Sequence, residues 1–188
     1  MTTSESPRIL IATGRTCAGK STLVGRLIAD NGFRIFSGET TRLPRDGDLP
    51  GEFNYLTNDE FDALNPKDML FSSQHGLLSR YTLLNSVVEA ALADEHNRYT
   101  RPLAPISAEK LVKKFGATAV KVIYLPTPDP LELNRRATAR GDDPISVQVR
   151  VNHEFDWDEI TRQTRSIYIA QGHTPEELQA EALALMEL

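Results

Sequence analysis

The sequence predicts an α/β fold, a three-layer sandwich around a mostly parallel central sheet, and three observations predict it. Short continuous apolar runs alternate along the chain with segments whose apolar residues recur at helical spacing. The first run, Arg8-Ile-Leu-Ile-Ala-Thr13, opens into a glycine-bearing loop and then a helical pattern, so the chain begins as a strand, loop, helix, strand unit. The 188 residues, 40% hydrophobic and 25% charged, suit one compact unit with its own core. Collagen-like, disordered and membrane-spanning chains are disfavoured by the same composition.

Each element follows from local signals. From Lys20 to Asp30 the positions Leu23, Leu27 and Ile28 fall on one helical face, and Asn31-Gly32 supplies the stop. Phe33 to Ser37 reads as a second strand. Gly38 to about Tyr81 is punctuated by Leu43-Pro44, Gly47, Pro50-Gly51 and Asn65-Pro66, which predicts a small irregular lobe rather than another regular layer. Leu83 to Asp94 resumes a helical pattern, and Ser107 is placed to cap a helix running to Phe115 before Gly116. Ala119 to Leu125 is the most strand-like run in the chain.

Asp129-Pro130 reads as N-cap and first position of a helix reaching Arg140 and ended by Gly141. A long amphipathic helix is expected from about Ser146 to Arg162, with Asp156, Asp158 and Glu159 on its solvated face, then a short strand from Ser166 to Ala170. The closing helix starts at a capping box, Thr174 with Pro175 and Glu177. The expected organisation is a single unit with a core of residues 8–37 and 83–188, a lobe at about 38–82 and a lid at about 140–149.

The net charge of −5 argues against a duplex nucleic-acid binder. Cys17 is the single cysteine, which allows neither an internal disulfide nor a zinc knuckle. Met1 to Pro7 lacks an apolar leader core and no apolar run approaches the roughly 20 residues of a membrane helix. A cytoplasmic setting with no membrane partner is expected. Net charge hides a feature of its own: 15 of the 21 basic residues are arginine.

Gly14-Arg-Thr-Cys-Ala-Gly19-Lys20-Ser21 fits the G-x-x-x-x-G-K-[ST] phosphate loop, between a predicted buried strand and a predicted helix. Its glycines let successive N–H groups turn inward on phosphate oxygens, and the following helix adds its positive end. The candidate ATP-binding residues are Gly14, Thr16, Cys17, Ala18, Gly19, Lys20, Ser21 and Thr22, with Lys20 bridging the β- and γ-phosphates and the Ser21 hydroxyl holding Mg²⁺. Cys17 is assigned no chemistry beyond being small enough for a loop whose backbone makes the contacts.

Beyond the second strand comes Glu39-Thr40-Thr41-Arg42-Leu43-Pro44-Arg45-Asp46-Gly47. Arg42 and Arg45 could grip one phosphate with fork geometry. A solvated charge cluster shared with Asp46, Asp48 and Glu52 is the alternative the residues leave open.

The run Thr40-Thr41-Arg42-x-Pro44-Arg45-x-Gly47, at this distance from the phosphate loop, resembles the guanylate kinase family. Leu133-Asn-Arg-Arg136, Arg140-Gly141 and Arg150 are similar to that family's arginine-bearing helix, lid and following helix. The resemblance covers most of the chain. It implies an ATP- and Mg²⁺-dependent kinase in which Arg42 and Arg45 hold the acceptor's phosphate, with Tyr55 and Tyr81 as aromatic acceptor-side residues. It further implies that Lys20, Arg136, Arg140 and Arg150 surround the transferred group, the last two arriving on a lid hinged at Gly141-Asp-Asp-Pro144.

Departures accompany the matches. Glu39 stands where the family has a serine, and Tyr55 is offset by one in Phe53-Asn54-Tyr55-Leu56. Where the family has a strand ending in D-x-D, this chain has Arg101-Pro-Leu-Ala-Pro-Ile-Ser107. No Asp stands there to meet a guanine edge or the metal's water shell, and two prolines argue against a central strand. Guanine specificity is therefore poorly supported by the sequence.

A monophosphate acceptor is already an anion, so transfer needs charge neutralisation more than a strong base. Glu39 could instead accept a proton from a sugar hydroxyl, and His75-Gly76-Leu77 ahead of Arg80-Tyr81 resembles the ribose bisphosphate kinase branch of the same superfamily. The first expectation is a kinase of nucleoside or deoxynucleoside monophosphates. The second is a sugar-phosphate or modified-nucleotide kinase, and the third a catalytically inactive binding module. Lys20, Ser21 and the lid arginines argue against the third. Small nucleotides are the expected partners, and a homodimer is left open.

Overall fold

The computed structural model describes residues 6–75, 79–139, 141, 147, 161, 164 and 166–187. β1 (Ile9–Thr13) lies at the centre of a five-stranded sheet that also holds β2 (Arg34–Ile35), β7 (Tyr99–Pro102), β8 (Val120–Tyr124) and β9 (Tyr168–Ile169). The order is β2-β7-β1-β8-β9 and every pairing is parallel. Helices α1 (Lys20–Asn31) and α6 (Pro175–Leu185) cover one face, and α3 (Asn85–Ala93) and α4 (Pro105–Phe115) the other.

The alternation of β1 assigns its side chains to these two layers. Leu10 and Ala12 pack with Leu23, Val24 and Leu27 of α1, while Ile9 and Ile11 pack with Leu111 and Val112 of α4. All five β1 residues are buried, as the continuous apolar run predicts for a strand covered on both faces. α1 stops at Gly32, whose N–H bonds to the Leu27 carbonyl. α6 has the predicted capping box, with Glu177 N–H donating to Thr174 and the Thr174 N–H donating back to the Glu177 carboxylate. α5 (Pro130–Ala139) is capped by Asp129, whose carboxylate accepts from Leu131 and Glu132 N–H at 2.9 and 3.1 Å.

The central strand that the two prolines argued against is present, and hydrogen-bond parity explains it. Tyr99 and Leu103 donate N–H to β1 at Arg8 and Ala12, while the Arg98 carbonyl accepts from Arg34 on the β2 side. Residues 98, 100 and 102 thus face β2, and β2 pairs no further than Thr100. The donor that Pro102 lacks would point where β2 has already ended. Pro105 then opens α4 as its first residue, with Ala104 as N-cap, so Ser107 lies inside the helix, buried, rather than capping it.

The lobe is also more regular than predicted. β3 (Gly38–Thr40), β4 (Phe53–Tyr55), β5 (Met69–His75) and β6 (Ser79–Leu84) form a second sheet in the order β4-β3-β6-β5. β3 runs parallel to β4 and antiparallel to β6. The turn formers read from sequence sit between these strands and around the short α2 (Asn58–Asp62), not within them. Leu83 and Leu84 end β6, so α3 starts two residues later than its apolar pattern suggested. The predicted helix at 146–162 and the lid at 140–149 lie outside the described residues, apart from 141, 147 and 161. Among the described residues no helix is long and apolar enough to cross a membrane.

Candidate active site

The phosphate loop joins β1 to α1. Gly14 (φ +141°), Cys17 (φ +63°) and Gly19 (φ +99°) take left-handed backbone angles, the conformation from which anion-binding loops are built. Gly14 is required by space as well as by angle: a Cβ there would lie 2.8 Å from the Leu125 carbonyl oxygen. Lys20 folds back along the loop, its Nζ donating to the Gly14 and Arg15 carbonyls at 2.7 Å each. Thr16, Cys17 and Ala18 are buried, whereas Ser21 and Thr22 are exposed on the first turn of α1.

α5 reaches this loop. Arg136 Nη1 donates to the Cys17 carbonyl at 3.1 Å and its Nε to the Glu132 carboxylate at 2.6 Å. The Cys17 side chain packs against Leu133, Ala137 and Val147, which explains a small apolar residue at that position. Arg135 and Arg136 both donate to Glu132 and hold its carboxyl down at about 2. Lys20 and Arg136 are thus brought to one loop; Arg140 and Arg150 lie outside the described residues.

The lobe sheet has two chemically different faces. Gly38 pairs with Phe53, and Thr40 with Tyr55 and Tyr81, which places these residues on one side by strand alternation. The Phe53 ring contacts those of Tyr55 and Tyr81, with centroids 6.1 Å away in both cases. The Arg42 guanidinium lies 4.8 Å from the Phe53 centroid and 5.9 Å from that of Tyr55. Glu39 belongs to the other face with its register partner Asn54, whose side-chain amide donates to it at 3.0 Å. Arg42, Tyr55 and Tyr81 come together, and Glu39 is separated from them.

One anion organises the aromatic face. The Asp48 carboxylate accepts from Arg42 Nη1 and Nη2 at 2.8 and 2.5 Å, from the Tyr55 hydroxyl at 2.6 Å and from the Arg45 backbone N–H at 2.8 Å. Arg45 contributes its amide here and keeps an exposed side chain. Burial pushes the Asp48 carboxyl up, but the bonds from Arg42, Tyr55 and Arg45 outweigh it and hold the group below its ordinary value. Burial pulls Arg42 down, and Asp48 more than restores it. The sequence treats Asp48 as one of several surface acids; its signal is a position three residues past Arg45 in a turn that brings it back to Arg42.

Arg101 is a second residue that sequence reasoning does not single out. It lies on β7, and only 3% of it is exposed. Its guanidinium lies 5.4 and 5.6 Å from the Phe36 and Phe53 ring centroids, and Nη1 donates to the Phe36 carbonyl at 3.2 Å. Burial lowers it to about 10, opposed by the charges of Glu52 and Glu39, so it stays a cation at neutral pH. The same burial raises the Glu52 carboxyl above its ordinary value.

A parallel sheet with a phosphate loop at the end of its central strand, a lysine in that loop and an arginine from a later helix define a P-loop kinase. The chain belongs to the guanylate kinase family. A guanylate kinase of Corynebacterium jeikeium is 32% identical over 150 residues, 76% of this chain and 77% of that protein. A guanylate kinase of Shewanella violacea is 29% identical over 142 residues, 74% of this chain and 67% of that protein. The crystal structure of guanylate kinase from Anaplasma phagocytophilum matches the fold with a TM-score of 0.67 at 16% identity, covering 97% of this chain and 85% of that one. No family model matches the chain.

Proposed function

We propose that the protein transfers the γ-phosphoryl group of ATP, with Mg²⁺, to the phosphate of a nucleoside or deoxynucleoside monophosphate, giving the diphosphate and ADP. The observation that carries this reading is the convergence of Arg42, the Tyr55 hydroxyl and the Arg45 amide on a single anion. A guanidinium fork with a phenol and an amide is a set of donors suited to a phosphate oxygen cluster.

The loop suits a triphosphate: its left-handed residues allow its amides to turn inward, and Lys20 lies along it. Gly14, Thr16, Cys17, Ala18, Gly19, Lys20 and Thr22 would hold the nucleotide, with the Ser21 hydroxyl toward Mg²⁺, which supplies charge neutralisation when bound. Arg136, anchored on the Cys17 carbonyl and on Glu132, holds a second cation against the loop. Arg140 and Arg150 would add charge from the lid. The acceptor's phosphate needs no general base, and Glu39, turned to the far face and bonded to Asn54, supports a phosphate rather than a hydroxyl acceptor. Lys20 and Arg136 at one loop support an active enzyme over a binding module.

The test is ADP release from ATP and Mg²⁺ across nucleoside monophosphates, ribose phosphates and nucleosides. Monophosphates should stimulate turnover, and Arg42→Ala should raise their KM by about 10–100-fold, the loss of a charge-assisted bidentate contact. Stimulation by ribose phosphates or nucleosides alone would contradict the reading.

A further inference from the structure

Arg101 carries more than the fold asks of it. It lies on β7, in register with Ile11 of β1, and reaches the lobe face that bears Arg42. Both guanidinium groups lie against the Phe53 ring, at 4.8 Å for Arg42 and 5.6 Å for Arg101. Gly38 permits the approach: a Cβ there would meet Arg101 Nη1 at 2.6 Å and Nη2 at 2.8 Å. Yet among the described residues the buried guanidinium makes one hydrogen bond, from Nη1, and Nε is buried without a partner. A buried donor left unmade destabilises the fold unless something fills it.

The charge balance separates the two arginines. Asp48 directly clasps Arg42, whereas Arg101 feels two carboxylates, Glu52 and Glu39, through space with no ion pair to either. One cation facing two acids disfavours an anionic ligand. A guanidinium can only donate, so the group it takes is a neutral acceptor, and its fork geometry suits the adjacent acceptors of a base bearing a ring carbonyl.

We propose that Arg101 determines acceptor specificity by donating to the carbonyl edge of the acceptor's base. This rests on the monophosphate kinase reading above. Arg42 grips the phosphate at one end of the aromatic face, and Arg101 reads an oxo group at the other. An amino group at the same ring position presents donors to a donor and is rejected.

The test measures kcat/KM for ADP release with the monophosphates of guanosine, inosine and uridine, which carry the oxo group, and of adenosine and cytidine, which carry the amino group. The two purine arms and the pyrimidine arm separate the ring classes. The oxo member of the accepted ring class should exceed its amino counterpart by about 10–100-fold, the value of a specific base contact that is bidentate on the O6 and N7 of a purine and falls on O4 alone in uracil. Arg101→Lys keeps the charge and loses the fork, and should bring that ratio within a few-fold. A structural strut would lower all five acceptors by one factor and leave the ratio unchanged, which would overturn the proposal; so would an amino base preferred by the unsubstituted protein. Turnover with none of the five would overturn this proposal together with the reading on which it rests, whereas turnover without a ratio dependent on Arg101 removes this proposal alone.

Discussion

Arg42 and Asp48 form a bidentate clasp at 2.8 and 2.5 Å, with side chains 7% and 15% exposed. The carboxylate occupies the point where Arg42, the Tyr55 hydroxyl and the Arg45 amide meet, so under the proposed function it competes with the acceptor's phosphate. Asp48→Asn should lower the acceptor KM several-fold. It should also cost about 1–3 kcal/mol of stability by leaving a buried guanidinium less well paired. Steady-state kinetics and denaturant titration check both, and a raised KM would show that the carboxylate positions Arg42 instead.

The same clasp makes a pH prediction. Asp48 titrates below its ordinary 3.8 in the folded protein, so its contribution is present above that value and is lost as pH falls through the folded one. The Tm difference between the unsubstituted protein and Asp48→Asn should be constant from about pH 5 to 7 and close below about pH 4. A gap unchanged down to about pH 3 would contradict the assignment of the carboxyl to Arg42.

Gly14→Ala tests the loop geometry. The added methyl would sit 2.8 Å from the Leu125 carbonyl oxygen, at a φ of +141° that side chains rarely adopt. A loss of about 1–3 kcal/mol in unfolding free energy and loss of ATP-dependent ADP release are expected. Unchanged stability would mean that the strand-to-helix turn is looser than described.

Arg136→Lys should separate charge from geometry at the loop. The fork that bonds the Cys17 carbonyl and Glu132 together cannot be reproduced by an ammonium. A fall in kcat of about 10²–10³-fold, with the acceptor KM little changed, is the expected signature of charge stabilisation lost in the transition state. An unchanged kcat would reduce Arg136 to a helix-to-loop strut.

The parts of this protein legible in the sequence are those written in local spacing. The phosphate loop, the Thr174 capping box and the Asp129 cap each occupy a few contiguous residues, and each stands where its pattern said. What was not legible depends on partners far along the chain. Pro102 argued against a strand because the early end of β2 is invisible from residue 102. The lobe's β3 and β4 are three residues each, too short for alternation to outweigh the turn formers between them. Glu39 and Arg42 looked like neighbours at one site until the strand register turned them to opposite faces. Arg101 stood out only as a missing acid, since its meeting with Phe53 and Gly38 crosses from one sheet to the other.

The central claim is that a phosphate, not a hydroxyl, receives the phosphoryl group. Phosphorus NMR of the products formed from ATP, Mg²⁺ and an accepted nucleotide tests it directly, with Lys20→Ala as the control for the loop. The account predicts a new pair of mutually coupled signals from a phosphoanhydride on the acceptor, absent with Lys20→Ala. A single uncoupled phosphomonoester signal, marking transfer to a hydroxyl, would contradict it.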